Sequence, residues 1–173
     1  SKMVGRSLQQ YYVRNFSAGG DVVMRVEHLN DGNMVKDASF ELRKGEILGF
    51  AGLVGAGRSE TMQAIFGLSK KYTGNIEING KNVHFHSAVQ AMEHGLALVP
   101  EDRKLEGLYH VQSVKYNSTI EVLSQFIKGV FLDKKKEEVI AKDYNGMMHT
   151  KTASIDQPVN YLSGGNQQKV MIS

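Results

Sequence analysis

Between Glu46 and Gly67 the sequence changes character twice, and the two changes fix the kind of fold the chain can enter. Glu46-Ile47-Leu48-Gly49-Phe50-Ala51 is a short apolar run of the sort that forms a buried strand. Gly52-Leu53-Val54-Gly55-Ala56-Gly57-Arg58-Ser59 then supplies three glycines, whose backbone can wrap an anion more closely than residues with side chains. Met62, Ile65 and Phe66 follow at helical spacing, with Gly67 as the stop. Strand, glycine-rich loop and helix in that order make a phosphate-binding loop, with the Ser59 hydroxyl placed to ligate Mg²⁺. Position 58 is Arg where that pattern has Lys. The guanidinium keeps the charge but replaces a compact ammonium with a wide planar fork, so binding is expected to survive better than catalysis.

A second phosphate-reading corner lies at Leu162-Ser163-Gly164-Gly165-Asn166-Gln167-Gln168-Lys169-Val170. A hydroxyl followed by two residues without side chains exposes successive N–H groups, and residues 166–172 read as the opening of a helix whose positive end adds to the cradle. Between the two corners, Leu96-Ala97-Leu98-Val99 is expected to be another buried strand, ending at Pro100-Glu101-Asp102-Arg103-Lys104. Polar residues at the carboxyl end of a parallel strand face the ligand crevice of an open α/β sheet.

The remaining segments are mixed. Residues 1–20 are polar and irregular, with Ser17-Ala18-Gly19-Gly20 as the end of a linker. Segments 22–29 and 38–42 read as strands around an Asp31-Gly32-Asn33 turn, and 74–85 as a hairpin on Asn79-Gly80. Residues 87–94 read as a helix capped by Ser87 and stopped at Gly95. From Leu105 to Asn160 the pattern turns helical, with one stripe at Val122, Phe126, Ile127 and Val130 and another at Val139, Ile140, Tyr144 and Met147. Lys134-Lys135-Lys136 is followed at once by Glu137-Glu138, which reads as a solvated helix face and not as a nucleic-acid stripe. The net charge of +3 suits phosphate ligands only weakly. The chain holds no Cys, so disulfides and thiolate metal sites are excluded. No apolar run approaches the ~20 residues that a membrane-crossing helix needs. His84 and His86 would share one strand face, but two His without a third ligand make a weak metal site.

The two glycine strings together resemble the ABC-transporter ATPases, and the Asn166-Gln167-Gln168-Lys169-Val170 continuation is similar to their sugar-importer branch. The resemblance implies an α/β P-loop NTPase core with a small antiparallel β subdomain and an inserted helical subdomain. Residues 1–20, through Met3-Val4-Gly5-Arg6, resemble the linker from a preceding nucleotide-binding domain. Residues 21–173 would be part of a second such domain, with core and β subdomain at 21–104, helical subdomain at 105–161, and signature motif and helix start at 162–173. It further implies that ATP is held by Gly52, Gly55, Ala56, Gly57, Arg58, Ser59 and Glu60. Leu162, Ser163, Gly164, Gly165 and Gln167 would meet an ATP carried by a partner domain in a head-to-tail dimer. Ser59 and Glu101 would be the Mg²⁺ ligands, Glu101 standing where the family has a Gln that couples to membrane subunits. The family usually places an aromatic before the glycine loop for adenine. His28 is nearest by spacing, while Tyr11 and Tyr12 fall in the linker.

Hydrolysis needs an apolar strand ending in Asp-Glu and a later His that senses the γ-phosphate. No apolar-Asp-Glu string occurs in this sequence. In the family that string follows the signature motif. The expectation is a chain truncated before its catalytic acidic strand, holding no catalytic residues of its own and unable to hydrolyse ATP alone. Its sheet would also lack a central strand. The implied partners are membrane-spanning permease subunits, with Met147 and Met148 as an alternative contact to the subdomain core, and indirectly a periplasmic or extracellular sugar-binding protein. No nucleic acid is expected. The implied location is the cytoplasmic face of the bacterial inner membrane, held peripherally. Two other classes stay open: a non-hydrolytic, nucleotide-gated binding module, and a soluble ABC ATPase acting on nucleic acid or ribosomes.

Overall fold

The computed structural model describes residues 19–69 and 71–173. The linker reading of residues 1–20, with Tyr11 and Tyr12, lies almost wholly outside the described residues. The chain divides into two compact units between Leu98 and Val99.

The first unit is built on a four-stranded antiparallel sheet in the order β2-β1-β3-β4, formed by β1 (Val22–Asn30), β2 (Ala38–Arg43), β3 (Thr73–Ile78) and β4 (Lys81–Val83). Met24 pairs with Leu42 and Ile78, and Val26 with Phe40 and Ile76, so apolar residues meet across three strands on one face. Strict alternation along β1 would then bury His28 and expose Leu29. Instead the pairing slips beyond Val26 and Glu27, and His28 takes a left-handed φ of 53°. This bulge resets the phase, leaving His28 outside and Leu29 fully buried. Burial of a side chain such as Leu29 is worth about 1.5–3 kcal/mol. The bulge fits only because residue 74 is glycine. A Cβ there would stand 2.6 Å from the His28 carbonyl oxygen, on a backbone at φ +105°. Gly74→Ala is therefore expected to cost about 2–4 kcal/mol, combining backbone strain with overpacking. A loss of unfolding free energy in urea of less than about a third of that size would refute the account.

Against this sheet pack α1 (Arg58–Ile65), through Ala64 and Ile65, and α2 (Ala88–Glu93), through Ala91. The Ser87 side chain accepts from the Gln90 N–H as its N-cap, and Gly95 closes the helix at φ +83°. The hairpin on Asn79-Gly80 also forms as expected.

Two expected strands do not form. Residues 46–51 and 96–99 enter no ladder, and burial merely alternates along them, with Leu48, Leu96 and Leu98 half-buried and Ile47, Ala97 and Val99 exposed. A parallel strand buried on both faces needs a neighbour on each side, and none of the described strands pairs with either run. Within the first unit, the Phe50 ring instead meets Phe40 edge-on at 4.9 Å.

The second unit is largely helical. A π-helical turn (Arg103–Gly107) is capped by Asp102, whose Oδ1 accepts from the N–H groups of Lys104 and Leu105. Then come α3 (Val114–Thr119), a 3₁₀ turn (Ile120–Phe126), α4 (Lys134–Met147), a second 3₁₀ turn (Val159–Tyr161) and α5 (Gly164–Ile172). Leu108, Val114, Val159, Leu162 and Val170 form its core.

Both predicted helical stripes are corrected. Ile127 and Val130 lie in a hairpin of β5 (Ile127–Lys128) and β6 (Phe131–Leu132), turned by Gly129 at φ +63°. Only Phe126 of that stripe is buried. The helix expected at 139–147 exists as α4, but Val139, Tyr144 and Met147 face outward while Glu137, Ala141 and Asn145 are buried. Polar groups occupy that face because each has a bond waiting. Thr119 Oγ1 donates to Glu137 Oε1 at 3.0 Å, and Asn145 Nδ2 donates to Ser118 Oγ and the Ala141 carbonyl, both at 2.8 Å. No helix among the described residues is long and apolar enough to cross a membrane.

Candidate functional site

The two corners lie in different units, and each is a helix beginning without a side-chain cap. In the first unit, α1 starts at Gly57, which stands in the left-handed region at φ 80° and carries no side chain to cap the helix. The first helical bond runs from the Thr61 N–H to the Gly57 carbonyl at 2.9 Å, and Thr61 Oγ1 donates to the same oxygen at 2.7 Å. The N–H groups in the first turn of a helix, those of Arg58 and Glu60 among them here, have no acceptor within the helix itself. The loop before them folds tightly: Ala56 N–H donates to the Leu53 carbonyl at 3.1 Å, and Gly55 sits at φ 82°. A Cβ on Gly52 would lie 3.0 Å from the Ala56 Cβ and 3.7 Å from the Arg58 Cδ, so the Arg58 stem lies back along the loop.

The loop between β1 and β2 covers this corner. A Cβ on Gly57 would meet the Met34 carbonyl oxygen at 3.0 Å, and one on Gly55 would meet the Met34 Cε at 3.7 Å. Met34 is thus the apolar side chain that the structure sets against the loop, and no spacing in the sequence marked it. His28, the expected base-stacking residue, is exposed on its bulge with Nδ1 2.6 Å from Asp37 Oδ1. The hydrogen bond and charge of Asp37 hold the imidazole pKa above its ordinary value. The folded-state pKa being raised, whatever stabilisation the pair gives is present below the ordinary imidazole range and is lost as pH rises through the raised value. With both groups exposed it is small.

His84 stacks on Tyr72 at 4.3 Å, and its ring lies 4.7 Å from that of His86. Among the described residues no group of three or more His, Cys, Asp or Glu is arranged to hold a metal.

In the second unit, Ser163 stands at the N-cap of α5 but its side chain caps no N–H. Its Oγ instead accepts from Asn166 Nδ2 at 3.0 Å. The helix begins at Gly164, two residues before the expected start. The N–H groups of Gly164, Gly165 and Asn166 are the ones left without helical acceptors. Apart from its chain neighbours and the backbone of α5 itself, no heavy atom of the described residues lies within 4 Å of a Cβ built on Gly165, so that side is open. Leu162 is buried and anchors the corner to the core. Gln167, expected at the nucleotide, is turned inward: Nε2 donates to the carbonyls of Val159 at 3.3 Å and Leu162 at 3.2 Å, and Oε1 accepts from Arg103 Nε. Glu101 is exposed on the bend leading into the π-helical turn.

A profile of the ABC transporter family matches residues 35–173. The chain is 42% identical over 176 residues to the arabinose import ATP-binding protein AraG of Paraburkholderia xenovorans, covering 100% of this chain and 34% of that protein. It is 42% identical to the ribose import ATP-binding protein RbsA of Lactococcus lactis (99% and 35% covered) and 45% identical to RbsA of a Jannaschia species (99% and 33%). The chain therefore spans about a third of the length of these curated relatives. Among solved structures, cbiO1 from Clostridium perfringens, part of the ABC transporter complex cbiONQ, superposes with a TM-score of 0.64 at 22% identity. That match covers 88% of this chain and 60% of cbiO1. A bacterial Atm1-family ABC exporter with ATP bound gives 0.56 at 21%, covering 87% and 26%. At those identities the likeness speaks to the fold, an α/β P-loop core with an antiparallel β subdomain and a helical subdomain.

Proposed function

The chain belongs to the ABC transporter family, and on that premise we propose that it is part of an ATP-binding subunit that powers sugar import. It holds MgATP at its variant phosphate loop and lends the Ser163-Gly164-Gly165 corner to a second ATP on an opposing nucleotide-binding domain. The observation that carries this reading is the uncapped, glycine-lined start of α5, open at Gly165. A helix start of that kind accepts a phosphate brought by another molecule without having to displace a cap.

In this reading Gly52, Gly55, Ala56 and Gly57 shape the cradle, the N–H groups of Arg58, Ser59 and Glu60 bind phosphate oxygens, and Met34 supports the nucleotide side of the loop. Ser59 and Glu101 are the oxygen donors for Mg²⁺, which when bound offsets phosphate charge. Leu162 and Gln167 hold the second corner in shape. Permease subunits engage near Glu101 and the helical subdomain at 105–161, on the cytoplasmic face of the membrane, and a sugar-binding protein acts through them. Sugar import comes from the relatives' names.

A second reading is a nucleotide-gated binding module that closes on ATP without cleaving it. Arg58, lying back along its own loop, favours that version for this half of the protein. Full-length protein reconstituted with its permease in vesicles separates the two. Sugar-stimulated ATP hydrolysis is the expected result. Tight MgATP binding with no permease-dependent turnover would select the module, and absence of MgATP binding would sink both.

A further inference from the structure

Arg103 opens the π-helical turn two residues after Glu101, and its half-buried side chain reaches across to α5. Its Nε–H donates to Gln167 Oε1 at 3.3 Å. Its Nη2 stands 2.9 Å from the point a Cβ on Gly164 would occupy. Gly164 thus leaves room for a guanidinium. Gln167 is buried, and the other end of the same amide holds the carbonyls of Val159 and Leu162. One side-chain amide therefore ties together the 3₁₀ turn that leads into the corner, the anchoring Leu162 and the Arg103 side chain. Close by, Gly107 packs against Met171, so the turn that carries Arg103 is seated on α5 at two places.

We propose that Arg103 is a positioning residue for the Ser163-Gly164-Gly165 phosphate corner. The proposal rests on the reading of that corner given above. The guanidinium is planar and cationic, and both of its contacts with α5 are to neutral groups. A fixed cation beside the positive end of a helix is unfavourable in isolation and becomes favourable once an anion arrives there. Arg103 therefore contributes little while the corner is empty and contributes most when a γ-phosphate on the opposing domain docks against it. Its side chain also gives the run at 100–104 a direct hold on α5, independent of the chain connecting them. A displacement of Glu101 by a permease subunit is then felt at Ser163.

The test is steady-state ATP hydrolysis by the full-length protein with its permease. Arg103→Met is expected to lower kcat by about 10- to 100-fold, the range for groups that orient ligand-contacting residues. KM for MgATP should stay within about two-fold, because ATP is first held by the phosphate loops. Arg103→Lys keeps the charge and loses the Nε–H, so it should recover part of kcat. Wild-type kcat in Arg103→Met, with Ser163→Arg inactive, overturns the inference and leaves the reading of the corner standing. Full turnover in Ser163→Arg overturns that reading as well. Gly164→Ala supplies a second route, since its Cβ pushes the guanidinium away from the helix. Its loss should be smaller in the Arg103→Met background than in the wild type. Losses that simply multiply would show that the two residues act independently and would refute the role.

Discussion

Ser163→Arg in the full-length protein is expected to lower ATP turnover by about 100-fold or more, and Arg58→Ala by less than about ten-fold. The first figure is the loss seen when a donor aimed at developing transition-state charge is removed. An arginine at position 163 does this by filling the corner with its own side chain. It also removes the Oγ that accepts from Asn166 Nδ2. The second figure is small because, on the reading proposed above, Arg58 serves the other nucleotide, the one cradled by this chain's own loop. There the guanidinium stem already lies back against Gly52, which would leave most of the binding to the backbone N–H groups of the α1 start. The two variants thus report on two different ATP sites. A pair of equal losses would mean that the sites are equivalent, and the asymmetric reading would have to be abandoned.

Both glycine-lined helix starts could be read from sequence because the fit of a helix start to an anion is a property of local backbone. Glycines at 52, 55 and 57, and at 164 and 165, announce it without reference to any distant residue. What the sequence hid depends on partners far along the chain. Arg103 was part of a charged run whose first carboxylate attracted notice, but its acceptor is 64 positions away. Met34 reaches the loop only because the turn between β1 and β2 lies against residue 55 in space. The α4 face was misread because hydrophobic periodicity counts apolar residues, whereas the packed face carries Glu137, which accepts from Thr119, and Asn145, whose Nδ2 donates to Ser118 and Ala141. Gly129 carried a usable signal for the hairpin, being a left-handed position in the middle of an apolar run. The apolar runs at 46–51 and 96–99 were recognised as strand-like but not as unpaired, since pairing belongs to the neighbour and not to the run itself.

Gly165→Ala should separate ligand contact from scaffold more cleanly than any other change in the corner. Beyond its chain neighbours and its own helix backbone, nothing in the described residues lies within 4 Å of the added methyl, and Gly165 keeps a negative φ inside α5. Alanine in place of a helical glycine stabilises by about 0.5–1 kcal/mol, so thermal unfolding should move upward or stay where it is. ATP turnover should move the other way, by about 100-fold, because a phosphate approaching the N–H groups of Gly164 and Gly165 meets the methyl instead of open space. Gly164→Ala cannot make this distinction, since its methyl also collides with the Arg103 guanidinium. The diagnostic result is the pair of opposite signs. A Gly165→Ala protein that is both stabilised and fully active would mean that no phosphate comes close to this turn, and the role assigned to α5 would fall with it.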